Sequence, residues 1–187
     1  MPADWFLELG RFKLELLRFM KDRRIAFVGG VAMRWWRARP GATSDYDLLI
    51  DRAKHFKETH AFLESRGAAY MGIIEDTVFY YVERWKLGID VLLNDPPIFR
   101  AALQAARPHT LKGIPVLIVR PLELAAMKVL AYAQRSNPRK KEQDRKDLLR
   151  LMTGAKPHVA EAELVELLDR VQKDLIPVLR QVLAQAR

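Results

Sequence analysis

Phe27-Val-Gly-Gly-Val-Ala-Met33, followed by Thr43-Ser-Asp-Tyr-Asp-Leu-Leu-Ile50, constrains this chain more than any other feature. A glycine pair interrupts a short apolar run, and a later aliphatic run opens with two acids one residue apart. Residues alternate sides along a β-strand, so Asp45 and Asp47 project from one face, roughly 6 to 7 Å apart at their Cα atoms. At that spacing two carboxylates can share hard cations. A third acid, Asp90, lies within another strand-like run, Leu87-Gly-Ile-Asp-Val-Leu-Leu93. An acid in such a run is costly to bury unless something cationic meets it.

The chain has 187 residues, 50% of them apolar, enough for one substantial core or for a core with a helical appendage. It has no cysteine, which removes disulfides, thiolate metal sites and cysteine nucleophiles from consideration. The longest apolar runs, such as Pro115-Val-Leu-Ile-Val119, are too short to cross a bilayer, and the first residues carry no basic segment before an apolar one. A soluble cytoplasmic protein without a membrane partner is expected. The formal charge of +9 suits an acidic partner, a triphosphate or a polyanion such as RNA. Basic residues bunch at Arg34, Arg37 and Arg39, and from Arg135 through Arg139, Lys140, Lys141, Arg145 and Lys146.

Apolar residues at helical spacing predict an amphipathic helix from Asp4 to about Arg23. Ile25 to Val28 reads as a buried strand, Val31 to Arg37 as a helix, Pro40-Gly41 as a loop, Tyr46 to Asp51 as a strand and 53 to 66 as a helix. Thr77-Val82 and Leu87-Leu93 read as a hairpin across Arg84, Trp85 and Lys86. A helical stretch near Ile98 to Ala106 and one more strand, Gly113 to Val119, complete the strand-bearing part. Beyond Pro121 the signals are helical: Pro121 to Tyr132, Lys141 to Met152, and Glu161 to Ala186 with an interruption near Pro177. The expected division is residues 1 to 120, the core with its N-terminal helix, and 121 to 187, a helical part packed on it.

Strand, Gly-Gly, helix, strand with Asp-x-Asp, then a later strand with one Asp is an order that resembles the polymerase-beta-like nucleotidyltransferase superfamily. The resemblance implies an α/β (α+β) nucleotidyltransferase fold, a small mixed sheet flanked by helices with a helical C-terminal part. It also implies transfer of a nucleoside monophosphate from a triphosphate (NTP) to a hydroxyl, with Mg²⁺ or Mn²⁺ held by Asp45, Asp47 and Asp90. In such chemistry two divalent ions about 3.5 to 4 Å apart neutralise the charge that develops on the phosphates. Asp90 is the natural candidate for activating the acceptor hydroxyl. Gly29 and Gly30 precede a helix and would let phosphate oxygens approach its backbone N–H groups, with Thr43 and Ser44 adding hydroxyl donors.

A second constellation narrows the resemblance. Pro121-Leu-Glu-Leu-Ala-Ala-Met-Lys-Val-Leu-Ala-Tyr-Ala-Gln-Arg135, followed by Asp144-Arg-Lys-Asp-Leu-Leu-Arg-Leu151, is similar to the helical part of AbiEii-type (type IV toxin) nucleotidyltransferases. There a lysine on the first helix and an acid on the next face the active site. By position these match Lys128 and either Asp144 or Asp147, the lysine neutralising a triphosphate oxygen and the acid orienting it. The likeness covers roughly residues 25 to 152 and implies a toxin-like enzyme, with tRNA as acceptor and an antitoxin protein as partner.

Two alternatives stand beside this reading. One is a small-molecule enzyme of the aminoglycoside-modifying kind, which the basic balance argues against. The other is a non-catalytic module of the same fold that binds RNA or protein. The linker Ser136-Asn-Pro-Arg-Lys-Lys141 reads either as an RNA contact or as a solvated loop. Trp35 and Trp36, among arginines, read either as a base-stacking pair or as core. The four histidines show no metal-ligand spacing.

Overall fold

Aliphatic runs too short to stand alone assemble into one mixed sheet, and its pattern of burial decides where a site can form. In the computed structural model, which describes residues 10–39, 43, 45–153 and 157–185, the elements follow in a simple order. They are α1 (Arg11–Lys21), β1 (Ile25–Phe27), α2 (Gly29–Trp35), β2 (Asp45–Ile50), α3 (Arg52–Ser65), β3 (Ala69–Ile74), β4 (Thr77–Val82) and β5 (Leu87–Leu93). Then come α4 (Pro97–Ala105), β6 (Arg107–Leu111), β7 (Ile114–Ile118), α5 (Pro121–Gln134), α6 (Pro138–Met152), α7 (Glu161–Val171) and α8 (Ile176–Ala184). The seven strands lie in the order β3-β4-β5-β2-β1-β7-β6. β2 pairs with β5 and β1 with β7 in parallel, and the other neighbours are antiparallel. The mixed α/β architecture expected of the sequence is the one observed.

One face of the sheet is sealed. Tyr46, Ile89 and Tyr80 share that face by register, and α1 and α3 lie over it: Lys13 of α1 sits 5.5 Å from the Tyr46 ring centre, and His60 of α3 hydrogen-bonds the Tyr80 hydroxyl at 2.8 Å. Phe19 and Phe62 stack at 4.2 Å to join the two helices, and Phe12 stacks on Trp85 at 4.9 Å. The opposite face carries Asp45, Asp47 and Asp90. It is closed only in part, because β4 and β5 alternate buried residues with half-buried ones. α5 is apolar almost all round, with Glu123, Leu124, Ala125, Ala126, Met127, Val129, Leu130 and Tyr132 buried, and packs against α2, α4, α6, α7 and α8. A helix with no solvent stripe needs such neighbours, and α5 is the axis of the helical part. Among the described residues no helix is long and apolar enough to cross a membrane.

The structure departs from the sequence reading in identifiable places. β3 and β6 are strands at the two edges of the sheet, neither apparent from pattern. β3 exposes Tyr70, Met71, Ile73 and Ile74 and contains a bulge beside Gly72, so no alternation marks it. β6 carries Arg107 and Pro108 and forms by pairing with β7 across a tight turn at Lys112 and Gly113, both at positive φ. Gly113 thus belongs to the turn and the strand begins at Ile114. α2 starts at Gly29 and ends at Trp35, so the glycines form its first turn. α6 starts at Pro138, capped by Asn137, whose side chain accepts from the N–H groups of Arg139 (3.0 Å) and Lys140 (3.2 Å). Arg139, Lys140 and Lys141 therefore lie in a helical first turn and not in a loop. The interruption near Pro177 is real: a tight turn at Lys173–Leu175 separates α7 from α8, which Pro177 helps to start. α1 begins at Arg11; the stretch from Asp4 to Leu9, the Pro40-Gly41 loop and Ala186 lie outside the described residues.

Leu16 is fully buried between α1 and the sheet, whereas Ile73 on the edge strand is 50% exposed. Leu16→Ala should cost about 2–5 kcal/mol and Ile73→Ala under about 1 kcal/mol in urea unfolding. Equal costs would contradict this assignment of core and edge.

Candidate active site

β2 and β5 run parallel with Asp47 opposite Asp90 and Asp45 opposite Gly88. In-register neighbours share a face, so the two strands bring all three acids to one side of the sheet. Glycine makes this crowding possible. A side chain at Gly88 would put its Cβ 2.6 Å from Asp45 Oδ1, and one at Gly29 would overlap the Asp47 carboxylate. Gly29 also holds φ at 50°, a left-handed value that other residues adopt at a cost. The Gly30 N–H donates to Asp47 Oδ2 at 3.1 Å. The glycine turn therefore seats a carboxylate, and Gly29 itself lines the cleft beside it. The Thr43 hydroxyl donates to the Asp45 carbonyl at 3.0 Å, tying the incoming loop to the head of β2. Ser44 lies outside the described residues.

Across the cleft Lys128 of α5 faces α6. Asp144 and Asp147, three residues apart on that helix, share a face, and Lys128 meets both. Its ammonium donates to Asp144 Oδ1 at 2.7 Å and forms an ion pair with Asp147 Oδ2 at 3.2 Å. The choice left open by the sequence thus resolves into both acids. Arg135 holds Asp144 Oδ2 at 2.7 Å; Gln143 (2.7 Å) and Arg150 (3.2 Å) donate to Asp147 Oδ1; and Arg39 lies 3.9 Å from Asp147 Oδ2. Gln143 and Arg150 were not singled out by sequence, although each stands at helical spacing from Asp147. Trp35 and Trp36 are partly buried and packed on the core, where they bracket His109 at 4.9 and 5.4 Å. The Trp36 indole donates to the Val119 carbonyl at 2.8 Å. The core reading of that pair holds.

The electrostatics follow from burial. Burial weakens the hold of Lys128 on its proton, but Asp144, Asp147 and Asp47 outweigh it and hold the lysine above its usual range. Asp47 is pushed up by burial, against the Gly30 N–H and Lys128. Asp90 is pushed up to about 7 by burial and by the nearby Asp47 and Asp45 charges, opposed by Lys140 and Arg135. Among the described residues no three acid or histidine side chains converge on one point as a formed metal cage. What is present is a donor set: hard oxygen ligands on one face, repelling one another, the kind that suits Mg²⁺ or Mn²⁺.

Asp47, Lys128 and Asp144 open onto a cleft of about 450 Å³. Arg135 and Lys140 add positive charge to one side, and Phe79, Phe99, Leu124 and Met127 form an apolar side.

No family model matches the chain, and no curated protein does. Several solved structures are similar, three of which follow. The antibiotic-resistance factor ANT(2'')-Ia is 16% identical over 90% of this chain and 91% of its own, with a TM-score of 0.56. JHP933 from Helicobacter pylori is 14% identical over 98% of this chain and 81% of its own, with a TM-score of 0.53. An antigenic nucleotidyltransferase-like protein from Paracoccidioides brasiliensis is 23% identical over 89% of both chains, with a TM-score of 0.49. The likeness is one of fold. With ANT(2'')-Ia and JHP933 it extends over the sheet and the C-terminal helices together, since each alignment spans nine-tenths or more of this chain.

Gly113, at φ 75°, has open space where a Cβ would go, whereas Gly29 has the Asp47 carboxylate there. Gly113→Ala should cost only backbone strain, about 1–2 kcal/mol. Gly29→Ala should cost measurably more in the same denaturant titration, since Asp47 must move; equal costs would mean that Gly29 does not seat Asp47.

Proposed function

We propose that this chain is a Mg²⁺-dependent nucleotidyltransferase, Mn²⁺ serving as well, which moves a nucleoside monophosphate from a nucleoside triphosphate to a hydroxyl of an RNA acceptor. The observation that carries the reading is the juxtaposition of Asp47 and Asp90, in register on paired strands, with Lys128 across the cleft from Asp47. Residues 1 to 120 are read as the catalytic core and 121 to 187 as the helical part that closes the cleft.

Divalent ions held by Asp45, Asp47 and Asp90 would supply charge neutralisation at the triphosphate. The chain's own residues do the rest. Lys128, kept cationic and held by Asp144 and Asp147, presents fixed positive charge to a phosphate oxygen without reorganising. The acceptor oxygen bonds to the α-phosphorus as the bond to the pyrophosphate oxygen breaks, and pyrophosphate departs. Asp90, in register beside Asp47, is the group that takes the proton the acceptor hydroxyl gives up.

For the acceptor, the basic side of the cleft at Arg135 and Lys140 and the formal charge of +9 favour a polyanion over a cationic small molecule. A tRNA acceptor, a toxin-like role with an antitoxin partner, and a cytoplasmic setting are what the sequence resemblance adds. The fold likeness to an antibiotic-resistance factor keeps a small-molecule acceptor as the second reading.

Incubation with Mg²⁺, each of the four labelled nucleoside triphosphates and total cellular RNA should label RNA from a preferred nucleotide, and Asp47→Ala should reduce that label at least a hundredfold. Undiminished transfer by Asp47→Ala would sink the metal-site assignment. Separately, millimolar Mg²⁺ should raise the melting temperature of the parent protein and leave that of Asp47→Asn unchanged, a readout independent of turnover.

A further inference from the structure

The apolar side of the cleft contains one aromatic ring that the core does not explain. Phe79 is on β4, whose residues alternate between the sealed face (Val78, Tyr80, Val82) and the face of the acids. By register it sits directly beside Asp90 of β5, on the same face. Leu92 and Phe99, which line the same side, pack on the core; Phe79 is not among the partly buried residues that do. Its other strand neighbour is Gly72 of β3, where a Cβ would find nothing within 4 Å. The ring is thus flanked by a carboxylate on one strand and by open space on the other.

An aromatic side chain left half-buried on a cleft floor, next to a strand position without a side chain, has room for a flat partner. Arg135 and Lys140 take negative charge on one side of the same cleft, and the ring takes apolar surface on another. A nucleotide has both parts, phosphates and a base. Stacking on an aromatic ring is tolerant of sequence because every base has a π-face.

We propose that Phe79 is the platform on which a nucleobase stacks in this cleft, placing the attached phosphate or hydroxyl toward Asp90 and Asp47. The inference rests on the nucleotidyltransferase reading and adds to it the residue that recognises the base. The base belongs either to the donor triphosphate or to the acceptor strand, and the chemistry of recognition is the same for both.

The test compares the full-length parent protein with Phe79→Leu, which keeps an apolar side chain but removes the ring, and with Phe79→Trp, which keeps a ring. Thermal melting checks that each variant is folded. Equilibrium dialysis with Mg²⁺ measures Kd for the four nucleoside triphosphates, for ribose 5-triphosphate, which lacks a base, and for total cellular RNA. If the donor base stacks, Phe79→Leu weakens nucleotide binding between about 5- and 150-fold, leaves ribose 5-triphosphate unchanged, and Phe79→Trp restores affinity. If the acceptor base stacks, the same loss appears with RNA and not with the triphosphates. Unchanged Kd for both overturns the inference, and it does so without touching the transferase reading if the parent protein still transfers. A parent protein that binds neither nucleotide nor RNA overturns both.

Discussion

The arrangement depends on one cation at the cleft. Lys128 is half-buried there, with the buried Asp144 and Asp147 against it and Asp47 close enough to raise its affinity for a proton. It is the point at which α5, α6 and β2 answer to one another. A buried ion pair is weak evidence for net stability, since desolvation offsets most of the Coulomb gain, but breaking one costs about 3–5 kcal/mol. The network therefore specifies geometry more than it adds stability: Lys128 can be in only one place, and the helical part must come with it. Arg135 donates to the second oxygen of Asp144, and Arg150 and Gln143 donate to Oδ1 of Asp147, whose Oδ2 has the Lys128 ammonium 3.2 Å away.

Against that cation stands an excess of negative charge on the sheet. Asp45, Asp47 and Asp90 share a face, and a backbone N–H, Lys128, Lys140 and Arg135 oppose the repulsion at Asp47 and Asp90. The sequence does nothing to dilute this charge; it removes side chains at Gly29 and Gly88 to let the carboxylates crowd in. A fold selected only for stability would gain by replacing Asp90, which sits between two apolar residues in β5. An acid at that position favours a functional site over a solvated sheet edge as the reason for the three acids.

Much of this was legible in the residues. The Asp-x-Asp spacing sets a shared face wherever it falls in a strand, whereas Lys128 and an acid on the following helix are picked out by the family resemblance and not by spacing. The edges were not legible, because an edge strand is defined by its neighbour more than by its own pattern. β6 reads as a polar segment with a proline until β7 pairs with it, and β3 has apolar residues on both sides of a bulge. The role of Gly29 was hidden for a related reason: a strand-to-helix glycine pair fits a phosphate cradle and a carboxylate seat equally well in sequence. Only the antiparallel pairing of β2 with β1, from which α2 follows, brings Asp47 against it. Asp144 against Asp147 could not be decided in one dimension because a lysine between two acids on one helix face has no reason to choose.

The same one-sided burial that hides the core produces the cleft. β4 and β5 are packed from below by α1 and α3, so every second residue is committed to that side and every other one faces the helical part. Among the latter the chain places an acid, an aromatic ring and an aliphatic residue: Asp90, Phe79 and Leu92. Opposite them α5 and α6 place Lys128, Arg135 and Lys140. Acidic, basic and apolar groups around one cleft cannot all serve one simple ligand such as a metal ion, an alkyl chain or a bare phosphate. They suit a molecule that is itself divided into a cation-bridged polyanion and a flat apolar ring, and that division of surfaces is the basis of the nucleotide reading proposed for this cleft.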